Sequence, residues 1–172
     1  MYQKIRRSAW LSAVGLLVAG LVTGTAGPAS AGQDVPACAA ADLSVAKGES
    51  QAGMGQRGLD ILVSNSMREP CAVRGYPKIQ LLDDNRERVH TEETYGSTYF
   101  APDSGEHQIV LKPGESARSN IGYAHPTAPD EPQVTASHLQ VTVPGTTDGA
   151  FVLPIHKTQV YQAKVTATAL ST

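Results

Sequence analysis

The sequence has little of what most catalytic or nucleic-acid-binding chains display. It holds one tryptophan, Trp10, and only six tyrosines and two phenylalanines. Its longest apolar run, Leu11 to Val22, is a dozen residues, short of the ~20 needed to span a bilayer as a helix. There is no cluster of Lys and Arg beyond Lys4, Arg6 and Arg7, so a phosphate backbone has nothing to bind. No H-E-x-x-H core or Gly-Lys-Ser/Thr loop occurs, which removes the common zinc-hydrolase and nucleotide-loop signatures. A G-x-S-x-G elbow is also missing. The nearest stretch, Gly114-Glu115-Ser116-Ala117-Arg118, lacks the closing glycine and sits in an expected hairpin turn. The chain therefore reads as non-enzymatic, with no cofactor.

What is present first is an export signal. Lys4, Arg6 and Arg7 precede the apolar run, and small residues follow it up to Ala29-Ser30-Ala31. Small residues at −3 and −1 suit a signal peptidase, so cleavage is expected between Ala31 and Gly32. Ser8-Ala9-Trp10 continues Arg6-Arg7 poorly as a twin-arginine motif, which favours the general secretion route. Pro36 speaks against a lipobox at Cys38. Loss of the signal removes three of fourteen basic residues and none of sixteen acidic ones, leaving 11 against 16 and a net charge of −5. The expected organisation is a signal peptide over 1–31, a short flexible N-terminus over 32–37 and one domain over 38–172.

Two cysteines remain, Cys38 and Cys71. In an oxidising compartment an even count favours a bridge. A loop of about 34 residues would gain roughly 3–4 kcal/mol from its closure. The rival reading, a reactive thiol or thiolate metal ligand, lacks a neighbouring Lys or His at Cys71 to depress its pKa.

Hydrophobic period two dominates from Leu43 onward. Leu43 and Val45 alternate with polar neighbours, as do Leu59, Ile61 and Val63, then Ile79 and Leu81. Ile109 and Leu111 lead into Lys112-Pro113-Gly114-Glu115, followed by Ala117, Ser119, Ile121 and Tyr123. Leu139, Val141 and Val143, the short run Phe151–Leu153, and Tyr161, Ala163, Val165 and Ala167 complete the set. Alternation of this kind marks half-buried strands. About eight or nine strands joined by Gly/Pro turns predict an all-β, immunoglobulin-like β-sandwich.

Residues 53–58, Gly-Met-Gly-Gln-Arg-Gly, match the dinucleotide pattern G-x-G-x-x-G. That fingerprint needs a helix directly after it to hold the pyrophosphate, and here the alternating strand Leu59–Val63 follows. Gly48 to Gly58 is read instead as a flexible connection between the first two strands. The histidines, at 90, 107, 125, 138 and 156, show no ligand spacing. Glu92-Glu93 and Asp130-Glu131 are adjacent, so on a strand their carboxylates would face opposite sides; they read as solvated loop charge.

Residues 64–82 are the most distinctive. A strand ends at Asn65, Pro70-Cys71 opens another, and Gly75-Tyr76-Pro77 bends it. Pro77 forbids an α conformation at Tyr76 and removes a ladder donor, while the Tyr76 hydroxyl is expected to bond backbone as in a tyrosine corner. With Leu43, Val45, Gly58 and Leu111-Lys112-Pro113-Gly114-Glu115-Ser116-Ala117, these motifs resemble a secreted actinobacterial family known only as domain of unknown function 4232. Many of its members carry a second cysteine pair in the C-terminal half, which this chain lacks. The resemblance implies a secreted or cell-envelope β-sandwich and supplies no activity or site.

Two loops complete the reading. Arg86 to Glu106 holds Tyr95, Tyr99 and Phe100 among Thr, Ser and Gly, a composition common in protein- and sugar-binding loops. His125 to Gln133, with three prolines, is expected to be a stiff, extended crossing between sheets. The expected function is an extracytoplasmic interaction module whose Tyr95–Phe100 loop binds a protein or cell-wall glycan in preference to a small molecule, nucleic acid or membrane. A histidine-based metal-binding protein and an inhibitor of extracellular enzymes are the alternatives.

Overall fold

The computed structural model describes residues 35–146 and 149–172; the expected signal peptide and its cleavage point, Ala31 and Gly32, lie outside them. A 3-10 turn, Ala40–Asp42, is followed by ten strands: β1 (Leu43–Gly53), β2 (Gln56–Asn65), β3 (Cys71–Arg74), β4 (Lys78–Leu82), β5 (Glu92–Tyr95), β6 (Gln108–Leu111), β7 (Ser116–Ala124), β8 (Gln133–Thr142), β9 (Ala150–Tyr161) and β10 (Lys164–Ala167). One sheet has the order β1-β2-β7-β10-β5; opposite it lie a three-stranded sheet, β4-β8-β9, and a two-stranded one, β3-β6. The β-sandwich expected from the alternation is the fold that forms.

The period-two residues fill the space between the layers. Leu59 and Ile61 of β2, Ile121 of β7 and Val165 and Ala167 of β10 pack on Ile79 and Leu81 of β4, Leu139 and Val141 of β8, and Leu153 and Val160 of β9. A second cluster joins Leu43, Val63 and Ala117 to Cys71, Val73, Ile109 and Leu111, with Leu170 from beyond β10. Cys38 and Cys71 are disulfide-bonded, with Cα atoms 4.9 Å apart. Pro36 and Ala37, expected as part of a flexible N-terminus, are instead tied to β3: Ala72 donates to the Pro36 carbonyl, and Ala37 bridges Ala72.

Gly75-Tyr76-Pro77 is the point where the chain leaves β3 for β4 and changes sheets. Gly75 has φ +95°, and its carbonyl accepts from the Leu170 amide at 3.0 Å. Asn65, 1% exposed, organises the neighbouring turns. Its Nδ2 donates to the Glu69 and Leu111 carbonyls at 2.8 and 2.9 Å, and its Oδ1 accepts from the Met67 amide at 2.8 Å. Full satisfaction of this kind is what a buried amide requires.

Four further expectations, about strands and their connections, are corrected. Gly48–Gly58 is not a flexible connection but part of a long hairpin: Gly53 pairs with Gln56 across the two-residue turn Met54-Gly55, both at positive φ, 50° and 76°. That is the pattern of the type I′ turn, whose twist matches the strands it joins. Second, the stretch expected as one loop, Arg86–Glu106, contains β5, which pairs in parallel with β10. Its sequence, Glu-Glu-Thr-Tyr, shows no apolar alternation because β5 is an edge strand held by polar pairs, Glu92 opposite Lys164 and Thr94 opposite Thr166.

Third, the run at Phe151–Leu153 extends to Tyr161. Pro154 is tolerated because β9 is an edge strand, and a register shift opposite Ala136–His138 changes which residues face the core. The expected strand from Tyr161 to Ala167 is broken by Gln162-Ala163, both at positive φ. Fourth, the crossing from β7 to β8 is not extended. It turns at Pro129-Asp130, where the Glu131 carboxylate accepts from the Thr127 amide and hydroxyl.

Candidate functional site

The outer face of the five-stranded sheet is covered by the segment that follows β5. Gly58 of β2 and Gly122 of β7 are direct cross-strand partners, and neither carries a side chain to fill the face. A Cβ at Gly58 would stand 2.6 Å from the Phe100 ring, and one at Gly122 would stand 2.8 Å from the Thr98 Cβ. The paired glycines thus form a slot that admits Thr98 and Phe100. Inside a strand, glycine often marks such a close approach.

Polar anchors fix the segment. The Thr98 hydroxyl donates to Asn120 Oδ1 at 2.6 Å and accepts from the Ala101 amide at 3.0 Å. Asn120 Nδ2 donates to Asp60 Oδ1 at 2.7 Å and to Gln51 Oε1 at 3.1 Å. Asp60 is 5% exposed, and its other oxygen lies 3.6 Å from the Arg118 guanidinium. A buried carboxylate is costly unless paired and hydrogen-bonded, and this network meets both conditions. Further along, Asp103 Oδ2 accepts from the Tyr76 hydroxyl at 2.6 Å and Oδ1 accepts from the Ala169 amide at 2.8 Å. The Tyr76 hydroxyl therefore bonds a carboxylate, not backbone as in the expected tyrosine corner. Donation from Tyr76, joined by the Ala169 and Gly105 amides, holds Asp103 below the ordinary carboxylate pKa, and the same contact raises the Tyr76 phenol.

The three residues expected to form an interaction loop therefore separate. Phe100 is an anchor against Gly58. Tyr99 meets Phe100 edge to face at 5.1 Å and remains 62% exposed. Tyr95, 47% exposed, lies against Tyr76 with ring centroids 4.9 Å apart. Its hydroxyl donates to Glu93 Oε2 at 2.9 Å, and partial burial together with that carboxylate pushes its pKa up to about 12. Beside Tyr99 is a groove of about 250 Å³ lined by Gln56, Ser97, Lys164 and Thr166 among others. On the far side, a recess of about 190 Å³ lies between 101–104 and Arg118, Asn120, Thr168 and Ser171.

The remaining candidates do not assemble. Among the described residues, no three His, Cys, Asp or Glu side chains converge to hold a metal ion. His107, His125 and His138 each place Nδ1 about 3 Å from a backbone carbonyl, of Gly105, Pro126 and Asp83 respectively. The helix that a dinucleotide fingerprint needs does not follow Gly53–Gly58, because β2 begins at Gln56. Glu92 and Glu93 lie on β5 and not in a loop, and of the two Glu92 is the exposed one. Glu92 lies 4.0 Å from Lys164, and Glu93 accepts from the Ile79 amide and the Tyr95 hydroxyl, so the two carboxylates do face opposite ways. Sequence reasoning missed Gly58, Thr98, Asn120 and Asp60 as a unit; the available signal was a glycine at an outward position in each of two alternating strands.

No curated protein matches this chain. The family model described as Domain of unknown function (DUF4232) matches residues 38–171, from the first disulfide cysteine to the bridge that closes the C-terminus, and the chain belongs to that family.

Proposed function

We propose that this protein is a secreted, non-catalytic binding module that uses the Tyr95–Phe100 segment to hold a cell-wall glycan outside the cell. Export is supported by the basic, apolar and small-residue succession over 1–31 and by the Cys38–Cys71 bridge, since such bonds persist in oxidising compartments. The observation that carries the binding role is an exposed Tyr99 ring on a segment whose neighbours Thr98 and Phe100 are locked into the sheet. An aromatic platform that loses little entropy on binding, flanked by hydroxyl, amide and ammonium groups, suits a sugar ring.

The test is a dye-reported thermal melt of residues 32–172 with soluble peptidoglycan fragments. A ligand at a hundred times its dissociation constant adds about 2.7 kcal/mol, a shift that a melt resolves. The shift should vanish in Tyr99→Ala while the unliganded melting temperature stays put. A flat response to every wall fragment would sink the glycan reading and leave a protein partner to be sought.

A further inference from the structure

On the opposite side of the β1–β2 hairpin, the two sheets part along their edge strands. β1 is the edge of the five-stranded sheet and β9 the edge of the three-stranded one. Each is irregular there. The β1 register shifts between Lys47 and Ser50, and β9 inserts residues between Pro154 and Thr158, opposite His138 and Ala136. Two bulges on two different strands meet at one place, and both line a cleft of about 300 Å³. Bulges re-aim side chains and open a ladder locally, and they gather beside binding sites.

The chemistry of the cleft is one-sided. Its apolar surface comes from Leu59, Leu139, Ile155 and Tyr123, and its rim carries Lys47, Arg57, His156 and Lys157. Lys157 is engaged by Asp84 at 2.7 Å. Lys47 and Arg57 form no ion pair among the described residues. Among the described residues no aspartate or glutamate lines the cleft, although acidic residues outnumber Lys and Arg in the chain, 16 to 14. The volume lies at the lower end of ligand pockets, which are typically ~300–1,000 Å³, mostly apolar, with a few placed polar groups.

We infer that this inter-sheet cleft is a binding site for a small anionic amphiphile, a carboxylate carried on a short apolar body. The apolar part occupies the gap between Leu59 and Ile155, and the carboxylate meets Lys47 and Arg57 at the mouth. None of residues 95–100 lines the cleft, although Tyr123 also borders the groove beside Tyr99.

Octanoate and octanol, used below the aggregation concentration of octanoate, distinguish the claim from plain hydrophobicity. Titrated into the ¹⁵N-labelled protein, octanoate is expected to shift amides around Lys47–Leu59 and Ile155–Thr158, with octanol binding at least ten-fold more weakly. The double variant Lys47→Gln/Arg57→Gln should weaken octanoate at least ten-fold, because charge-assisted hydrogen bonds are lost, and should leave octanol unchanged. Ile155→Trp, which fills the cleft, should weaken both ligands. Equal affinity for the acid and the alcohol, shifts located elsewhere, or indifference to the double variant would each overturn the assignment. An unchanged thermal melt of the surface double variant excludes loss of fold as the cause.

Discussion

Gly58 and Gly122 face each other across β2 and β7, and the space their side chains would occupy holds Phe100 and Thr98. The contact joins the sheet to the segment that presents Tyr99. Gly122→Val should therefore displace Thr98, release its bond to Asn120 Oδ1 and cost about 1–3 kcal/mol, the usual range for overpacking. Urea unfolding measures the loss, and any ligand of the Tyr99 face should bind the variant more weakly. A variant as stable as the parent would show that the segment is not held by this slot.

Asn65 supplies three hydrogen bonds to backbone around two turns. Asn65→Ala leaves the Glu69 and Leu111 carbonyls and the Met67 amide without that partner. Unsatisfied buried groups cost about 1–3 kcal/mol each, and water will recover part of this at the outer two. An overall loss of about 2–4 kcal/mol is expected in chemical denaturation.

Replacing Cys38 and Cys71 together by alanine should destabilise the protein by roughly 3–4 kcal/mol, the chain-entropy value for a loop whose ends are separated by 33 residues. The same figure should appear on reduction of the parent by dithiothreitol, read from denaturation midpoints in the two redox states.

Met54 occupies the first central position of the β1–β2 turn at φ +50°, where methionine is strained and asparagine is preferred. Met54→Asn makes the turn Asn-Gly, removes an 87% exposed apolar side chain and should raise stability by about 0.5–1 kcal/mol. A neutral or destabilising result would contradict the turn geometry.

The pH dependence has a definite sign. Asp103 is held low by the Tyr76 hydroxyl first, and Asp84 by Lys157 and then by the Ser137 hydroxyl. A carboxylate with a depressed folded-state pKa contributes stability that is complete above its unfolded value, near 3.8. That contribution fades as pH falls through the folded value. Acid titration of the melting temperature should therefore steepen below about pH 4, and Tyr76→Phe with Lys157→Gln should flatten it. At the alkaline end the relation reverses. Tyr95, raised to about 12, should ionise after the ordinary tyrosines near 10 in an ultraviolet titration, and Glu93→Gln should bring it down.

The fold was largely legible because the core is made of strands whose faces differ. Leu59-Ile61-Val63 and Ala117-Ser119-Ile121-Tyr123 alternate over their whole length and appear as β2 and β7. Alternation failed wherever an edge strand did not need it. β5 is held by Glu92–Lys164 and Thr94–Thr166 pairs, and β9 survives Pro154 because it is the edge of its sheet among the described residues. The candidate site was legible only as composition. Tyr95, Tyr99 and Phe100 could be named as aromatic residues in a polar segment, but nothing local separates the half-buried ring of Phe100, packed at Gly58, from the exposed ring of Tyr99.

By itself the sequence determined the quantities that depend on neighbours along the chain: alternating strands, the Lys112–Glu115 turn, the bend at Gly75-Tyr76-Pro77, and two cysteines suited to one bridge. Tertiary structure alone decided which residues meet. The glycine slot needs Gly58 and Gly122 in register, and the network beneath it brings Asp60, Thr98 and Asn120 together from three separate segments. The cleft needs two bulges on different sheets to coincide. Long-range contacts of this kind follow from how the layers pack, and no window of the chain contains both partners.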